Sequence, residues 1–202
     1  PPSLYENLGD ILALTGDYAA ARGNYEWLLR VGVAADPQTR ALRKAALQRK
    51  VGGTYEQQGS LDHALVWCER AAETVAGIAG SSEADLEHAR ILSDMGWISY
   101  RRGDIAEAQR YLEQALALVE PHQSHAELAR LYNRLGGIAW SRGDVEGSQY
   151  YVELSLEACE RSNDVAGQAH ALNNLGILTA SQGRSGDAVR YGTQAMALNE
   201  RI

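Results

Sequence analysis

A pair of glycines seven residues apart occurs five times along the chain, and this repetition limits the folds available to it. Each first glycine follows an apolar residue, and successive first glycines are 43, 44, 40 and 40 residues apart. The five pairs are Gly9 and Gly16, Gly52 and Gly59, Gly96 and Gly103, Gly136 and Gly143, and Gly176 and Gly183. Repetition at this period indicates an array of stacked supersecondary units in place of one globular core.

The two glycines of a pair have different roles. The first lies in a helical pattern, where glycine costs about 1 kcal/mol relative to alanine, so its recurrence predicts a close contact between helices. The second precedes a polar N-cap residue in four repeats, which indicates a helix end followed by a new helix. These residues are Asp17, Ser60, Asp104 and Asp144. Asp104 and Glu107 form a capping box pattern. Each repeat is therefore predicted to be helix A, a tight turn and helix B.

Small residues recur in helix B. Position five after the second glycine holds Ala21, Ala64, Ala108, Ser148 and Ala188, and seven residues later come Leu28, Ala71, Ala115, Ser155 and Ala195. This face is predicted to pack closely on neighbouring helices, which makes helices A and B an antiparallel hairpin. The predicted hairpins cover residues 3–32, 37–78, 82–120, 122–161 and 165–202, with Pro37 in a first helical turn.

The glycine pattern, with Tyr5-x-x-Leu8-Gly9 and the alanine positions, resembles the tetratricopeptide repeat family. The resemblance implies an all-α fold, a right-handed α-α superhelix of five hairpins forming one module over residues 1–202. The repeats are longer than the family's standard of about 34 residues and lack its Trp and most of its Pro. Longer repeats of this kind look like those of kinesin light chains and of bacterial MalT-like regulators and signalling ATPases or cyclases. That likeness implies a docking or sensing arm of a cytoplasmic bacterial signalling protein.

Charge and composition restrict the partners. A net charge of -7 and a pI near 5.3 argue against nucleic acid as the main partner. No run of about 20 apolar residues and no leader segment is present, so neither membrane insertion nor secretion is expected. Cys68 and Cys159 are predicted to be buried, reduced thiols, as in cytoplasmic proteins. The chain begins Pro1-Pro2 and ends in a helical pattern with apolar Val189, Met196 and Ile202, which suggests a fragment of a larger protein or association with another copy.

No catalytic motif is recognised, and neither an enzyme nor a cofactor is expected. Gly52-Gly53-Thr54 lacks the Gly-Lys-Ser/Thr of a phosphate loop. His122 and His125 have a spacing that two metal ligands on one helix face could use, but a helix start with a Ser124–Glu127 capping box is the preferred interpretation. Carboxylates such as Glu56 and Asp94 are interpreted as parts of ordinary solvated faces.

Besides the face that carries the first glycine, helix A has a second stripe of residues. These residues lie six and three positions before the first glycine and one and four positions after it. In the tetratricopeptide family this stripe lines the concave surface. The predicted partner-binding residues on or beside it are Arg49, Arg90, Trp97, Tyr100, Arg101, Arg130, Asn133, Trp140 and Asn173. Exposed Trp and Arg are typical of binding hot spots. The preferred ligand is an acidic or extended protein segment, held by Arg90, Arg101 and Arg130.

Other interpretations stay open at this point. Trp97 and Trp140 could pack between helices, with the arginines paired to acidic neighbours on the next repeat. Trp27 and Trp67 on the B helices are predicted core residues, and Tyr111, Tyr150 and Tyr151 packing residues. A homo-oligomeric scaffold joined through terminal helices, or a ligand-sensing domain, are the alternative functions.

Overall fold

The computed structural model describes residues 2–32, 36–78 and 80–201. In these ranges it contains ten α-helices, one short 3-10 helix at Glu120–His122 and no β-strand. The helices are α1 Pro2–Leu14, α2 Tyr18–Val31, α3 Pro37–Gln57, α4 Leu61–Ala76, α5 Ser82–Arg101, α6 Ile105–Val119, α7 His125–Ser141, α8 Val145–Arg161, α9 Val165–Ser181 and α10 Ser185–Asn199. The predicted all-α fold of helical hairpins is confirmed.

The chain comprises two compact units. Unit 1, Pro1–Leu118, contains α1 to α5 and nearly all of α6, and unit 2, Val119–Ile202, contains α7 to α10. Helices α1, α3, α7 and α9 are A helices that pack on the following helix B, and α5 approaches α6 at Gly96. A single module over residues 1–202 stays a prediction.

The predicted turns between helices A and B are confirmed. Gly16, Gly59, Gly103, Gly143 and Gly183 all have positive φ angles of 76–87°, which suit glycine because a Cβ atom is strained there. The next residue then caps helix B in several repeats. Asp17 accepts a hydrogen bond from the Ala20 backbone N–H at 3.1 Å, and Asp144 accepts one from Gly147 at 2.8 Å. Ser60 makes no such side-chain cap bond.

The first glycines bring helices A and B into close contact, as predicted. A methyl group added at Gly96 would lie 3.0 Å from Leu112 Cγ and 3.1 Å from the Ala108 carbonyl oxygen. At Gly52 it would lie 3.0 Å from Cys68 Sγ. Ala108 and Cys68 are themselves buried. Missing side chains on helix A therefore meet small residues on helix B, and the pair can approach without a cavity.

Each unit has its own apolar core. In unit 1, Tyr25 and Leu28 of α2 pack on Leu47 and Val51 of α3. In unit 2, Val152 of α8 packs on apolar residues of α9, namely Ala171, Leu175 and Leu178. Consecutive hairpins within a unit are thus joined by helix B of one and helix A of the next. Trp27 and Trp67 pack partly buried against the unit 1 core, in agreement with the sequence.

Two local expectations are wrong. Tyr150 is an exposed residue on α8, with its ring edge against Tyr151. The Ser124 side chain makes no cap bond at the start of α7, so the Ser124 half of the predicted capping box is not formed.

The predicted burial of both cysteines is confirmed. Cys68 and Cys159 are buried free thiols, and burial together with the charge of Asp164 raises the pKa of Cys159. Within the described ranges, no helix has the length and apolar character to cross a membrane.

Candidate functional site

The predicted partner-binding residues are divided between the two units. Arg49 lies on α3, and Arg90, Trp97, Tyr100 and Arg101 lie on α5, all in unit 1. These residues, together with the carboxylates that contact them, are called the unit 1 face. Arg130, Asn133 and Trp140 lie on α7, and Asn173 lies on α9, in unit 2. These four, with the exposed side of α9 beside them, are called the unit 2 face.

On the unit 1 face, Arg49 bridges from α3 to α5. Its Nε donates a hydrogen bond to Glu87 at 2.8 Å, and its Nη1 lies 3.4 Å from Asp94 Oδ2. Glu87 is buried and also accepts a hydrogen bond from Arg90, at 3.2 Å. Burial alone would lower the pKa of Arg49, but the charges of Asp94 and Glu87 and their hydrogen bonds raise it above its ordinary value. The arginine therefore stays charged and links the two A helices.

Glu56 of α3 organises the aromatic part of the unit 1 face. Its carboxylate accepts a hydrogen bond from the Trp97 indole Nε1 at 3.1 Å and forms an ion pair with Arg101. Arg101 also donates to the Glu56 backbone carbonyl at 2.8 Å. Glu56 is buried, so its interpretation as a solvated carboxylate is wrong. The Trp97 ring stacks on Tyr100 with centroids 5.3 Å apart and remains partly exposed.

The first repeat continues this pattern of paired charges. Lys50 of α3 contacts Glu6 at 2.9 Å and Asp10 at 2.8 Å on α1, and Arg43 contacts Glu6 at 3.1 Å. Tyr25 donates its hydroxyl to Asp10 at 2.8 Å. Burial and the Asp10 carboxylate raise the pKa of that tyrosine well above its usual range. Lys50 and Arg43 of α3 are consequently neutralised by carboxylates of the adjacent helix α1.

One contact between neighbouring A helices has the same register in both units. It joins the residue three positions before the first glycine to the residue two positions before the next first glycine. The pairs are Glu6–Lys50 at 2.9 Å, Arg49–Asp94 at 3.4 Å and Asn133–Asn174 at 3.1 Å. Sequence reasoning placed Arg49 and Asn133 on the binding stripe, interpreted Asp94 as a solvated carboxylate, and missed Lys50 and Asn174. Opposite charges, or two amides, at these offsets would have identified both.

The unit 2 face uses amides and apolar groups. Asn174 donates to Asn133 at 3.1 Å and lies 3.4 Å from a ring nitrogen of His170. Trp140 and Ile177 are large apolar residues that are nevertheless exposed, at 43% and 53%. Asn173 is also exposed. Trp140 is therefore not a core residue between helices. The alternative left open by the sequence, that Trp140 packs between helices, is wrong.

Arg130 stands at one end of the unit 2 face. Its Nη1 lies 3.3 Å from the carboxylate of buried Glu127, one turn earlier on α7, and half of its side chain is exposed. Trp140 lies ten residues further along the same helix, about 15 Å away at 1.5 Å per residue. The face thus presents a cation, amides and an indole along one helical stripe.

The described part of the chain contains no group of three or more His, Cys, Asp or Glu side chains placed to hold a metal ion. His122 falls in the 3-10 helix and His125 at the start of α7. The chemistry that both faces offer is hydrogen bonding, charge pairing and aromatic contact.

Comparison with known families identifies the repeat. The tetratricopeptide repeat model matches residues 43–120 and 127–201, which is more than half of the chain. The chain belongs to the tetratricopeptide repeat family. A TPR repeat-containing protein of Pseudomonas aeruginosa is 54% identical over 33 residues, 16% of this chain and 6% of that protein. The chain thus matches only a small part of the length of this curated relative.

Two solved structures show the same fold at low sequence identity. The Rap conjugation gene regulator of the plasmid pLS20, solved in complex with the Phr* peptide, has a TM-score of 0.79 and 16% identity. The match covers 98% of this chain and 53% of that one. Kinesin light chain TPR-like repeats of Podosopora anserina have a TM-score of 0.68 and 16% identity, covering 100% and 97% of the two chains. At these sequence identities, the similarity shows a shared fold and nothing further.

Proposed function

We propose that this chain is a non-catalytic protein-interaction module whose unit 2 face binds an extended, carboxylate-bearing segment of a partner protein. The observation that carries the proposal is the exposed indole of Trp140, on the same stripe of α7 as Arg130 and Asn133. Exposed aromatic rings and arginines are typical of binding hot spots. The rings bury much apolar area, and the guanidinium groups donate directional hydrogen bonds.

Arg130 supplies the anionic specificity in this proposal. A guanidinium has five N–H donors, and the Glu127 carboxylate can accept only some of them. Half of the Arg130 side chain is exposed, so a ligand carboxylate can reach it from solvent. Arg90 and Arg101 of unit 1 contact the buried carboxylates of Glu87 and Glu56. Arg130 contacts a buried carboxylate too, but its side chain is 50% exposed against 35% for Arg90 and Arg101, so a ligand carboxylate reaches Arg130 more easily.

The other side chains of the unit 2 face suit the remaining chemistry of an extended segment. Asn173 is exposed, and an amide can donate to and accept from the backbone of a ligand. Trp140 and Ile177 provide apolar surface for its side chains. The neighbour solved with a peptide supports the idea that such a fold holds a peptide. A role as the docking or sensing arm of a cytoplasmic bacterial signalling protein belongs to the same proposal.

The test uses an array of random 12-residue peptides probed with the labelled protein. Peptides selected by the wild-type chain are expected to contain Asp or Glu and an apolar residue. Trp140→Ala and Arg130→Glu are each expected to weaken binding at least about tenfold, the loss of one hot spot. Tyr150→Ala and Arg161→Glu are matched controls, because both residues are exposed on α8.

Unchanged binding in both Trp140→Ala and Arg130→Glu, with unchanged circular dichroism, would contradict the proposal. Loss of binding in the α8 controls would contradict it as well, since it would place the ligand elsewhere. Selection of basic peptides alone would refute the carboxylate assignment.

Self-assembly through the last helix is a second candidate function. Val189 and Met196 of α10 are 69% and 65% exposed, although both are apolar. Two such residues seven positions apart lie on one face of a helix. Light scattering over a concentration series is the direct measurement, and a constant monomer mass would remove this candidate.

A further inference from the structure

Two adjacent glycines of α7 differ in what surrounds them. A Cβ atom added at Gly136 would lie 3.0 Å from Val152 Cγ2, so this glycine permits the close contact between α7 and α8. A Cβ atom added at Gly137 would meet no side chain and no neighbouring helix within 4 Å, as far as the described residues extend. Gly137 also lies inside the helix without a positive φ angle. Neither close packing nor backbone conformation therefore requires a glycine at position 137.

The repeat does not require a glycine at this position either. Gly137 directly follows the first glycine of its repeat, and the equivalent residues of three other A helices are Asp10, Trp97 and Ile177. A glycine inside a helix lowers stability relative to alanine, because it has more conformational freedom in the unfolded chain. Alanine would fit at position 137 and is the better helix former. The glycine therefore does not serve the stability of the free chain.

Gly137 leaves an open notch in the unit 2 face. On the binding stripe of α7, Asn133 lies one turn before Gly137 and Trp140 one turn after it, and the two are separated by about 10 Å along the helix axis. Gly137 is exposed, as is Trp140. Asn133 is held in place by the hydrogen bond that it accepts from Asn174 of α9 at 3.1 Å. The gap with Gly137 as its floor and Asn133 and Trp140 as its walls is called the α7 notch.

The α7 notch has the size and chemistry of a place where a peptide main chain can lie. A glycine has a second Hα atom in place of Cβ, and a Cα–H group can contact a carbonyl oxygen at a C···O distance of about 3.3–3.6 Å. The main chain of an extended segment offers a carbonyl at every residue, and about three residues span the notch at about 3.3 Å each. Because Asn133 accepts from Asn174 through its carbonyl oxygen, its amide N–H groups are the donors it can present to a ligand carbonyl.

We propose that the main chain of the bound segment crosses α7 at Gly137, with its backbone against the floor of the α7 notch. This inference rests on the proposed function and adds the position at which the segment lies closest to the protein. Any side chain at position 137 then hinders binding, although it stabilises the free chain. Stability and binding are opposed at this residue, as they commonly are at functional sites.

The test measures binding and stability in the same variants. The probe is a fluorescent form of the acidic 12-residue peptide that the wild-type chain selects most strongly from the peptide array. Gly137→Ala is expected to raise the melting temperature by about 2–4 °C, because alanine is the better helix former. The same variant is expected to bind the peptide at least about threefold more weakly. Gly137→Gln fills the notch with a longer uncharged side chain and is expected to bind at least about tenfold more weakly, a loss typical of overpacking.

Gly53 of α3 is the matched control. It occupies the same repeat position in unit 1 and is exposed, and a Cβ atom added there would meet no side chain or neighbouring helix of the described ranges within 4 Å. Gly53→Ala and Gly53→Gln are therefore expected to raise the melting temperature as the Gly137 variants do. Their affinity for the peptide is expected to stay within about twofold of the wild type.

Isotope-filtered NMR tests the contact itself. In protein labelled with 13C at the glycine Cα atoms, the Gly137 signal is identified by its absence from the spectrum of Gly137→Ala. Nuclear Overhauser effects are expected between the Gly137 Hα atoms and main-chain protons of the unlabelled peptide. The Gly53 Hα atoms are expected to show none.

Three results would overturn the inference: Gly137→Gln that binds as tightly as the wild type, an equal loss of affinity in the Gly53 variants, or Gly137 contacts with side-chain protons of the peptide alone. If Trp140→Ala and Arg130→Glu weaken binding while Gly137→Gln does not, the proposed function stands and the crossing at Gly137 is wrong. If the wild type selects no acidic peptide, the proposed function itself fails, and this inference fails with it.

Discussion

The unit 1 face and the unit 2 face occupy the same repeat positions and are built from different chemistry. In unit 1 the contact between neighbouring A helices is ionic, as in Arg49–Asp94, and the buried carboxylates of Glu56 and Glu87 accept further hydrogen bonds. In unit 2 the equivalent contact is between two amides, Asn133 and Asn174. An indole and an isoleucine are exposed beside that amide pair.

Under the proposed function, the same repeat position serves stability in unit 1 and binding in unit 2. Charges that neutralise one another across two A helices link those helices, but they leave less attraction for a ligand. Amides linked by one hydrogen bond retain further donors and acceptors, and exposed apolar groups gain by being covered. The A helices of unit 1 are accordingly linked by charges, whereas the proposed ligand surface lies on unit 2.

The largest expected effect concerns the linkage of unit 1. Glu87→Ala removes the partner of Arg49 and Arg90 and is expected to lower the free energy of unfolding by about 3 kcal/mol, as breaking a buried ion pair does. Asn174→Ala in unit 2 loses one hydrogen bond and is expected to cost about 1 kcal/mol. Urea unfolding followed by circular dichroism measures both.

Glu113→Ala serves as the control for Glu87→Ala, because Glu113 is exposed and accepts a hydrogen bond from Gln109, one turn earlier on α6. Its effect is expected to stay within about 0.5 kcal/mol. If Asn174→Ala lowered the free energy of unfolding as much as Glu87→Ala, the contacts between A helices would be equally strong in the two units, against the comparison made above.

The next effect compares the hairpins. Gly96→Ala in unit 1 places a methyl group 3.0 Å from Leu112 Cγ and 3.1 Å from a backbone oxygen, so we expect a loss of about 1–2 kcal/mol from overpacking. Gly176→Ala in unit 2 meets its nearest atom, the Ala188 carbonyl oxygen, at 3.5 Å. The better helix propensity of alanine then predicts a gain of up to about 1 kcal/mol. Thermal melting of both variants checks the opposite signs; a shared sign would refute the difference between the two hairpins.

The smallest effect is a dependence on pH in unit 1. Burial lowers the pKa of His88, although the charge of Asp85 opposes this. The unfolded chain therefore binds the His88 proton more readily than the folded chain, so stability falls as the pH drops through about 6.5. In His88→Gln, the urea concentration at the unfolding midpoint is expected to change less between pH 7 and pH 5 than in the wild type. An equally steep fall in wild type and His88→Gln would show that other groups cause the acid sensitivity.

Particular residues show how far the sequence reaches. The second glycines and Asp17 were correctly predicted, because left-handed φ angles and N-caps are local requirements. The stripe that includes Arg49 and Trp140 was derived from helix periodicity, since a helix places residues at fixed angles, and its role in binding stays a prediction. The burial of Glu56 was missed, because it depends on Trp97 and Arg101, which lie 41 and 45 residues away. Asn174 was missed because its partner lies on another helix.

The amino-acid sequence by itself determined the hairpins, their turns and their close contacts, since these follow from backbone conformation and side-chain size within about 40 residues. Only the tertiary structure decided which charges neutralise one another and which side chains stay exposed. Arg49 and Arg130 occupy neighbouring positions of the same stripe, yet one bridges two helices and the other contacts a residue of its own helix. The cause is the identity of the residues on the adjacent helix. Electrostatic pairing depends on those residues, and a local sequence pattern does not contain them.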